Sequence, residues 1–181
     1  MMATDSSTQS SRMREAMWGQ AEALQRLLED STGVESVAER LQSRRVVVVG
    51  TGTSWHAAQQ GAHLLRMAGL DVSAAQSADA AIDGPLPQED QVLLALTHTG
   101  AKHFTAAALQ RARAAGAEIV QISATDVPDC DLATVTRERS SAYTISHLAA
   151  LMRVAQLAEK LGAPLDQLAA VPAAVQQALE S

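Results

Sequence analysis

Aromatic side chains are nearly missing from this chain, which has two Trp, one Tyr and one Phe in 181 residues. Its core must therefore be made of Ala, Val and Leu, small residues that suit helices packed closely on a parallel sheet. Cysteine is almost as scarce. Cys130 is alone, which excludes an internal disulfide and a multi-cysteine zinc site. It lies between Asp129 and Asp131, whose carboxylates disfavour a reactive thiolate, and it reads as a small structural residue. Positive charge is also in deficit: 14 Lys and Arg stand against 20 Asp and Glu, a net charge of −6. Non-specific nucleic-acid binding rests on cations that neutralise phosphates, so that class of function is disfavoured. A small anion is not excluded, because backbone N–H groups hold one without any net positive charge. The N-terminus has no apolar signal core, and no apolar run reaches the ~18 residues of a membrane span. A cytoplasmic location, with no membrane partner, is the resulting expectation.

Apolar residues make up 47% of the chain, enough for a globular domain. Residues 1–12, rich in Ser, Thr and Gln, are expected to be a disordered tail, and 13–181 a single domain. Met17, Leu24, Leu27 and Leu28 fall at helical spacing over 14–30, and Val34–Leu41 reads as a second short helix. Val46–Val49, closed by Gly50, is a β-branched run suited to a strand buried on both faces. Helices are then expected over 54–68, 102–115, 142–161 and 165–179, and strands over 71–75, 91–96, 118–123 and 132–136. Asp83, Gly84, Pro85 and Pro87 mark a loop. Strand–helix alternation with short loops implies an α/β fold: three layers, doubly wound, with a five-stranded parallel sheet flanked by helices.

Three segments carry candidate chemistry. Gly50-Thr51-Gly52-Thr53-Ser54 follows the Val46–Val49 strand and precedes a helix. Its glycines allow a tight turn, and Thr53 or Ser54 can cap the helix or meet a ligand. Doubly wound folds bind ligands at such strand ends. The segment is no dinucleotide fingerprint, since Trp55 stands where G-x-G-x-x-G needs glycine. Thr97-His98-Thr99-Gly100 leads into the helix from Lys102. Two hydroxyls, a helix N-terminus and an ammonium suit a phosphate dianion, although a capped helix start with a solvated Lys would read the same. Glu138-Arg139-Ser140-Ser141-Ala142-Tyr143-Thr144 precedes the long helix. Ser140 or Ser141 can cap it, and Glu138 is the best candidate base, unless an ion pair with Arg137 or Arg139 occupies it. His56 and His63 share a helix face with no further ligand at metal spacing, so neither a metal nor a cofactor is expected. His98 can touch ligand, His103 flanks the same loop, and His147 reads as a packed residue.

In this order the segments resemble the sugar-isomerase (SIS) family of phosphosugar isomerases and phosphosugar-binding domains. The likeness is greatest to the first SIS unit of amino-sugar isomerases of the glucosamine-6-phosphate synthase type. Their G-x-G-T-S-x-H-A pattern is matched by Gly50 to Ala57. Their S-x-S-G-x-T phosphate loop corresponds to Thr97 to Lys102, and part of S-T-K-A-F-T to Ser140 to Thr144. The helix from Met13 to Leu24 also looks like the one preceding their first unit. The resemblance implies a SIS fold of flavodoxin or Rossmann-like type, and a phosphosugar pocket lined by Gly52, Thr53, Ser54, Thr97, His98, Thr99, Gly100, Lys102, Ser140 and Ser141. This chain departs from the pattern in having Thr for both phosphate-loop serines, Lys102 for the final Thr and Ser141 for the Lys.

The resemblance further implies aldose–ketose isomerase chemistry on a phosphorylated sugar or amino sugar, with Glu138 or a residue of a partner as base. The enzymes it resembles carry two SIS units in one chain, and only the first is matched here. A homodimer or a second SIS subunit is therefore expected. Residues 168–179 look like a connector. The alternative is a non-catalytic phosphosugar sensor or one subunit of a split enzyme.

Overall fold

The computed structural model describes residues 6–84, 86–100 and 102–181. Its elements are α1 (Ser6–Trp18), α2 (Gln20–Glu29), α3 (Val34–Leu41), β1 (Val46–Gly50), α4 (Thr53–Met67), β2 (Val72–Gln76), α5 (Ser77–Ile82), β3 (Val92–Thr97), α6 (His103–Ala114), β4 (Glu118–Ser123), β5 (Leu132–Ala133), α7 (Thr144–Lys160) and α8 (Val171–Glu180). The strands form one parallel sheet in the order β2-β1-β3-β4-β5. The expected doubly wound α/β fold is the observed one.

Every residue of β1 and of β3 is buried, as their continuous apolar runs require. Alternate side chains feed opposite layers. Val46, Val48, Leu94 and Leu96 pack under α3, α4 and α7, and Val47, Val49, Leu93 and Ala95 under α5 and α6. The chain leaves β1 towards β2, then reverses to build β3 and β4. Right-handed crossovers place helices on opposite faces when the direction reverses, so the reversal makes three layers and opens a crevice between the carboxyl ends of β1 and β3. The scarcity of aromatics shows in the spacing: a Cβ at Gly61 of α4 would lie 3.0 Å from Val154 Cγ1 of α7.

Several elements differ from the sequence expectation. The helix expected over 14–30 is interrupted at Gly19, and α1 starts at Ser6, inside the segment expected as a tail. Residues 1–5 of that segment lie outside the described residues. Helix α5 has no counterpart in the sequence expectation, since six residues are too few to show a helical period. β5 has two residues rather than five because its neighbour β4 stops at Ser123. α8 is packed in place, with Leu168, Val171 and Val175 joining Leu24, Leu27 and Ala149 over the outer side of α7. Among the described residues no helix is long and apolar enough to cross a membrane.

Charged groups tie the layers together. Arg40 of α3 donates to Glu118, Asp131 and the Ile119 carbonyl, and Arg44 donates to Glu118. Arg153 of α7 is 1% exposed. Its guanidinium donates to the Ala133 carbonyl at 2.7 Å, the Asp30 carbonyl at 2.5 Å and the Asp30 carboxylate at 2.6 Å, joining α7 to β5 and to the end of α2. Hydrogen bonds from Thr32 and then from Arg153 lower the Asp30 carboxyl to about 2. Removing a buried cation leaves its acceptors unpaired, so Arg153→Met should cost about 3 kcal/mol in urea unfolding. The depressed Asp30 pKa contributes stability that is present above the ordinary carboxylate range and is lost as pH falls towards 2. The stability gap between the native chain and Asp30→Asn should therefore be open at pH 7 and close as the solution is acidified, followed by the unfolding midpoint at each pH.

Candidate functional site

The carboxyl ends of β1 and β3 each run into a turn and then a helix, so the N-termini of α4 and α6 converge on the crevice between them. Gly50 makes the first turn possible: a Cβ there would lie 2.2 Å from the Ser54 carbonyl oxygen. Gly100 makes the second. Its φ is +67°, and a Cβ would press to 2.6 Å from Val127 Cγ1. The Gly100 N–H donates to Thr97 Oγ1 at 3.2 Å, which tightens the loop and leaves the Thr97 hydroxyl hydrogen for another acceptor.

A cavity of about 120 Å³ lies in this crevice, lined by Thr51, Gly52, Thr53, Ser54, Thr97, His98, Thr99 and Lys102, with Leu96, Thr105 and Tyr143. Thr53 and Ser54 do not cap α4, because the N-cap is Gly52 and they are the first two helical residues. Lys102 is the N-cap of α6, with no hydrogen bond from its side chain to that helix. The lining residues include hydroxyls and an ammonium but no carboxylate. Together with two helix N-termini this is an environment for an anion, whatever the net charge of the chain.

His98 forms one wall. Its Nε2 accepts the Glu138 backbone N–H at 2.8 Å, which places the ring hydrogen on Nδ1. Nδ1 is buried with no partner among the described residues. Burial holds the His98 pKa below the ordinary imidazole value, opposed by the nearby Glu138 and Asp126 charges and reinforced by Arg137. The ring of Tyr143 meets that of His98 edge-on, with centroids 6.0 Å apart. Beneath them a hollow of about 10 Å³ touches His98, Ser123 and Thr134, and Ser123 Oγ is likewise buried and unpaired among the described residues.

The third segment is divided. Tyr143 reaches the cavity, but Glu138, Ser140 and Ser141 do not line it. The Glu138 carboxylate forms neither of the ion pairs weighed for it. It accepts the Thr144 N–H at 2.9 Å, the Ser146 N–H at 3.1 Å and the Ser146 hydroxyl at 2.7 Å, closing the first turn of α7. Ser140 Oγ accepts the Ala142 N–H at 3.2 Å. Glu138 and Ser140 line a different cavity, between the 134–140 segment and α1 and α2. His147 Nδ1 lies 3.1 Å from the Thr53 carbonyl oxygen, His56 and His63 face an apolar groove beside α7, and His103 stacks on Phe104. Among the described residues no group of three or more His, Cys, Asp or Glu is placed to hold a metal ion.

Sequence reasoning misses Thr51, Thr105 and Tyr143. Thr51 Oγ1 lies 3.3 Å from Thr105 Oγ1, and Thr105 donates to the buried Ser77 Oγ at 3.1 Å, a hydroxyl chain under the cavity floor. Ser77 belongs to the short α5, so no local signal joins the three. Tyr143 is within a singled-out segment, but its role depends on a φ of +52° that the sequence does not announce.

Residues 41–160 match the model of the SIS domain family. A glutamine–fructose-6-phosphate aminotransferase (isomerizing) from Symbiobacterium thermophilum is 30% identical over 112 residues, which span 61% of this chain and 18% of that protein. Among solved structures, an Escherichia coli CFT073 protein in complex with a phosphosugar superposes with a TM-score of 0.66 at 14% identity, covering 96% of this chain and all of that one. The Vibrio vulnificus NanR protein complexed with ManNAc-6P superposes with a TM-score of 0.63 at 16% identity, covering 91% of this chain and 66% of that one. At these identities the structures show a shared fold.

Two measurements check the geometry. Glu138→Gln would turn an amide NH₂ towards helix N–H groups, and should cost about 2 kcal/mol in unfolding. A carboxylate free for other work would make the same change nearly silent. Because the native state disfavours protonated His98, stability should be full above the ordinary imidazole value and fall as pH drops through it. His98→Gln should flatten that fall in a pH series of melting temperatures.

Proposed function

Since this chain belongs to the SIS domain family, we propose that it binds the phosphoryl group of a sugar phosphate or amino-sugar phosphate in the cavity between β1 and β3. One observation carries the reading: the N-termini of α4 and α6 converge on a cavity lined by hydroxyls and Lys102, with no carboxylate to repel a dianion. In this reading Thr97, Thr99, Gly100 and Lys102 hold the phosphoryl oxygens, and Gly52, Thr53 and Ser54 meet the sugar. The two solved complexes support the ligand class, because each holds a phosphosugar on a chain of similar fold. Cytoplasmic residence follows from the ligand, since phosphorylated sugars do not cross bilayers unaided.

The isomerising relative suggests aldose–ketose chemistry: a proton leaves C2 of the sugar and returns at C1. That step needs a base, and this cavity has none that is free. Glu138 is engaged by α7, and His98 Nε2 accepts the Glu138 N–H. We therefore assign the base to a second SIS unit, from another copy of this chain or a different subunit. The same shortage favours a second reading, a module that binds phosphosugar without turning it over. Isomerisation assays on the assembled species separate the two.

The ligand class is tested by thermal unfolding with glucosamine 6-phosphate and fructose 6-phosphate, using the unphosphorylated sugars as controls. A ligand at 100 times its Kd should add about 2.7 kcal/mol to the apparent stability. Phosphorylated sugars alone should raise the melting temperature, and no shift with either would defeat the proposal. Thr99→Asp places a carboxylate beside the phosphoryl group and should weaken binding about tenfold or more.

A further inference from the structure

The second cavity, bounded by α1, α2 and the segment 134–140, holds about 610 Å³ and shares no lining residue with the first. Four arginines line it, Arg12, Arg26, Arg137 and Arg139, in a chain whose net charge is −6. Three carboxylates face the same space: Glu15, Asp30 and Glu138. Two of them are committed. Asp30 is bonded to the buried Arg153, and Glu138 to the first turn of α7. The arginines are less tied. Arg26 pairs with Glu22, and Arg137 with Asp126 at 2.9 Å, both as exposed ion pairs of the kind that contribute little and exchange readily. Arg12 and Arg139 have no ion-pair partner among the described residues. Guanidinium groups bind phosphoryl and carboxylate oxygens in pairs, and several around one space suit an anion with more than one charged group. Thr125 and Thr136 add hydroxyls to the wall.

We propose that this arginine-lined cavity is a second anion site, for a small molecule bearing a diphosphate or two phosphoryl groups, and that its occupation changes the affinity of the β1/β3 cavity. The link between the two is short. Arg137 Nη2 donates to the Thr99 carbonyl at 3.4 Å, and the Glu138 N–H to His98 Nε2 at 2.8 Å. An anion that draws Arg137 and Arg139 inwards acts on the peptide that holds His98 and touches Thr99. Two ligands acting on one segment are coupled, and the coupling is reciprocal. The coupling rests on the sugar-phosphate reading of the first cavity, whereas the second site stands without it.

The probe is inorganic diphosphate, titrated calorimetrically into the full chain. Thr99→Asp serves as the background in which the first cavity is blocked. Diphosphate should still bind Thr99→Asp with one site, and adding Arg12→Ala and Arg139→Ala should weaken that binding about tenfold or more. Both arginines are exposed, and unchanged melting temperatures will show that the fold is intact. Loss of all diphosphate binding in Thr99→Asp, or equal affinity with and without the two arginines, overturns the second site. Saturating glucosamine 6-phosphate should shift the diphosphate affinity of the native chain by at least about threefold, and diphosphate should shift the sugar-phosphate affinity by the same factor. Two independent affinities overturn the coupling. If glucosamine 6-phosphate does not bind at all while the arginine variants still lose diphosphate, the sugar-phosphate reading has failed and the second site has not.

Discussion

The Glu138 carboxylate closes the first turn of α7, and much of the molecule is arranged around that contact. A helix start leaves N–H groups without partners, and here an acidic side chain from the preceding segment takes two of them together with the Ser146 hydroxyl. The contact holds residues 138–146 in a compact fold that brings Tyr143 onto the ring of His98. The backbone of the same residue fixes the His98 tautomer. One glutamate thus sets the position of a long helix through its side chain and the chemistry of an imidazole through its peptide. That double use argues against assigning it the work of a proton shuttle.

The anion-binding character of the β1/β3 crevice is local in origin. A chain with an excess of carboxylates keeps them off the lining of this cavity and presents helix N-termini and hydroxyls there instead. Scarce aromatics contribute indirectly. Where Ala57, Ala58, Gly61 and Ala62 face the core, α4 approaches α7 closely, and its first turn is held over the end of β1.

Regular features are legible in the sequence. Val46–Val49 announces a central strand, Gly116 and Gly162 mark helix ends, and alternation announces the parallel sheet. Two of the three chemical segments, Gly50–Ser54 and Thr97–Lys102, come together as their places at strand ends require. The third misleads because Glu138 and Ser140 are polar residues in a loop, and nothing local distinguishes a residue that caps a helix several positions away from one that meets a ligand. The break at Gly19, the six-residue α5 and the hydroxyl chain from Thr51 to Ser77 depend on tertiary contacts with no counterpart in periodicity. The second cavity is equally hidden, since Arg12 and Arg139 are far apart in the chain.

The Arg40 and Arg44 ion pairs gather Glu118, at the start of β4, and Asp131, just before β5, so they brace the amino ends of the strands. The hydroxyl-lined cavity occupies the other pole. Substitutions at sites that share no partners are close to independent in their effects on free energy. Hydroxyls around the crevice can therefore be exchanged, as Thr at positions 97 and 99 illustrates, without loosening the pole that holds the sheet together. A lineage carrying this scaffold is free to drift in what it recognises while its architecture stays under separate selection.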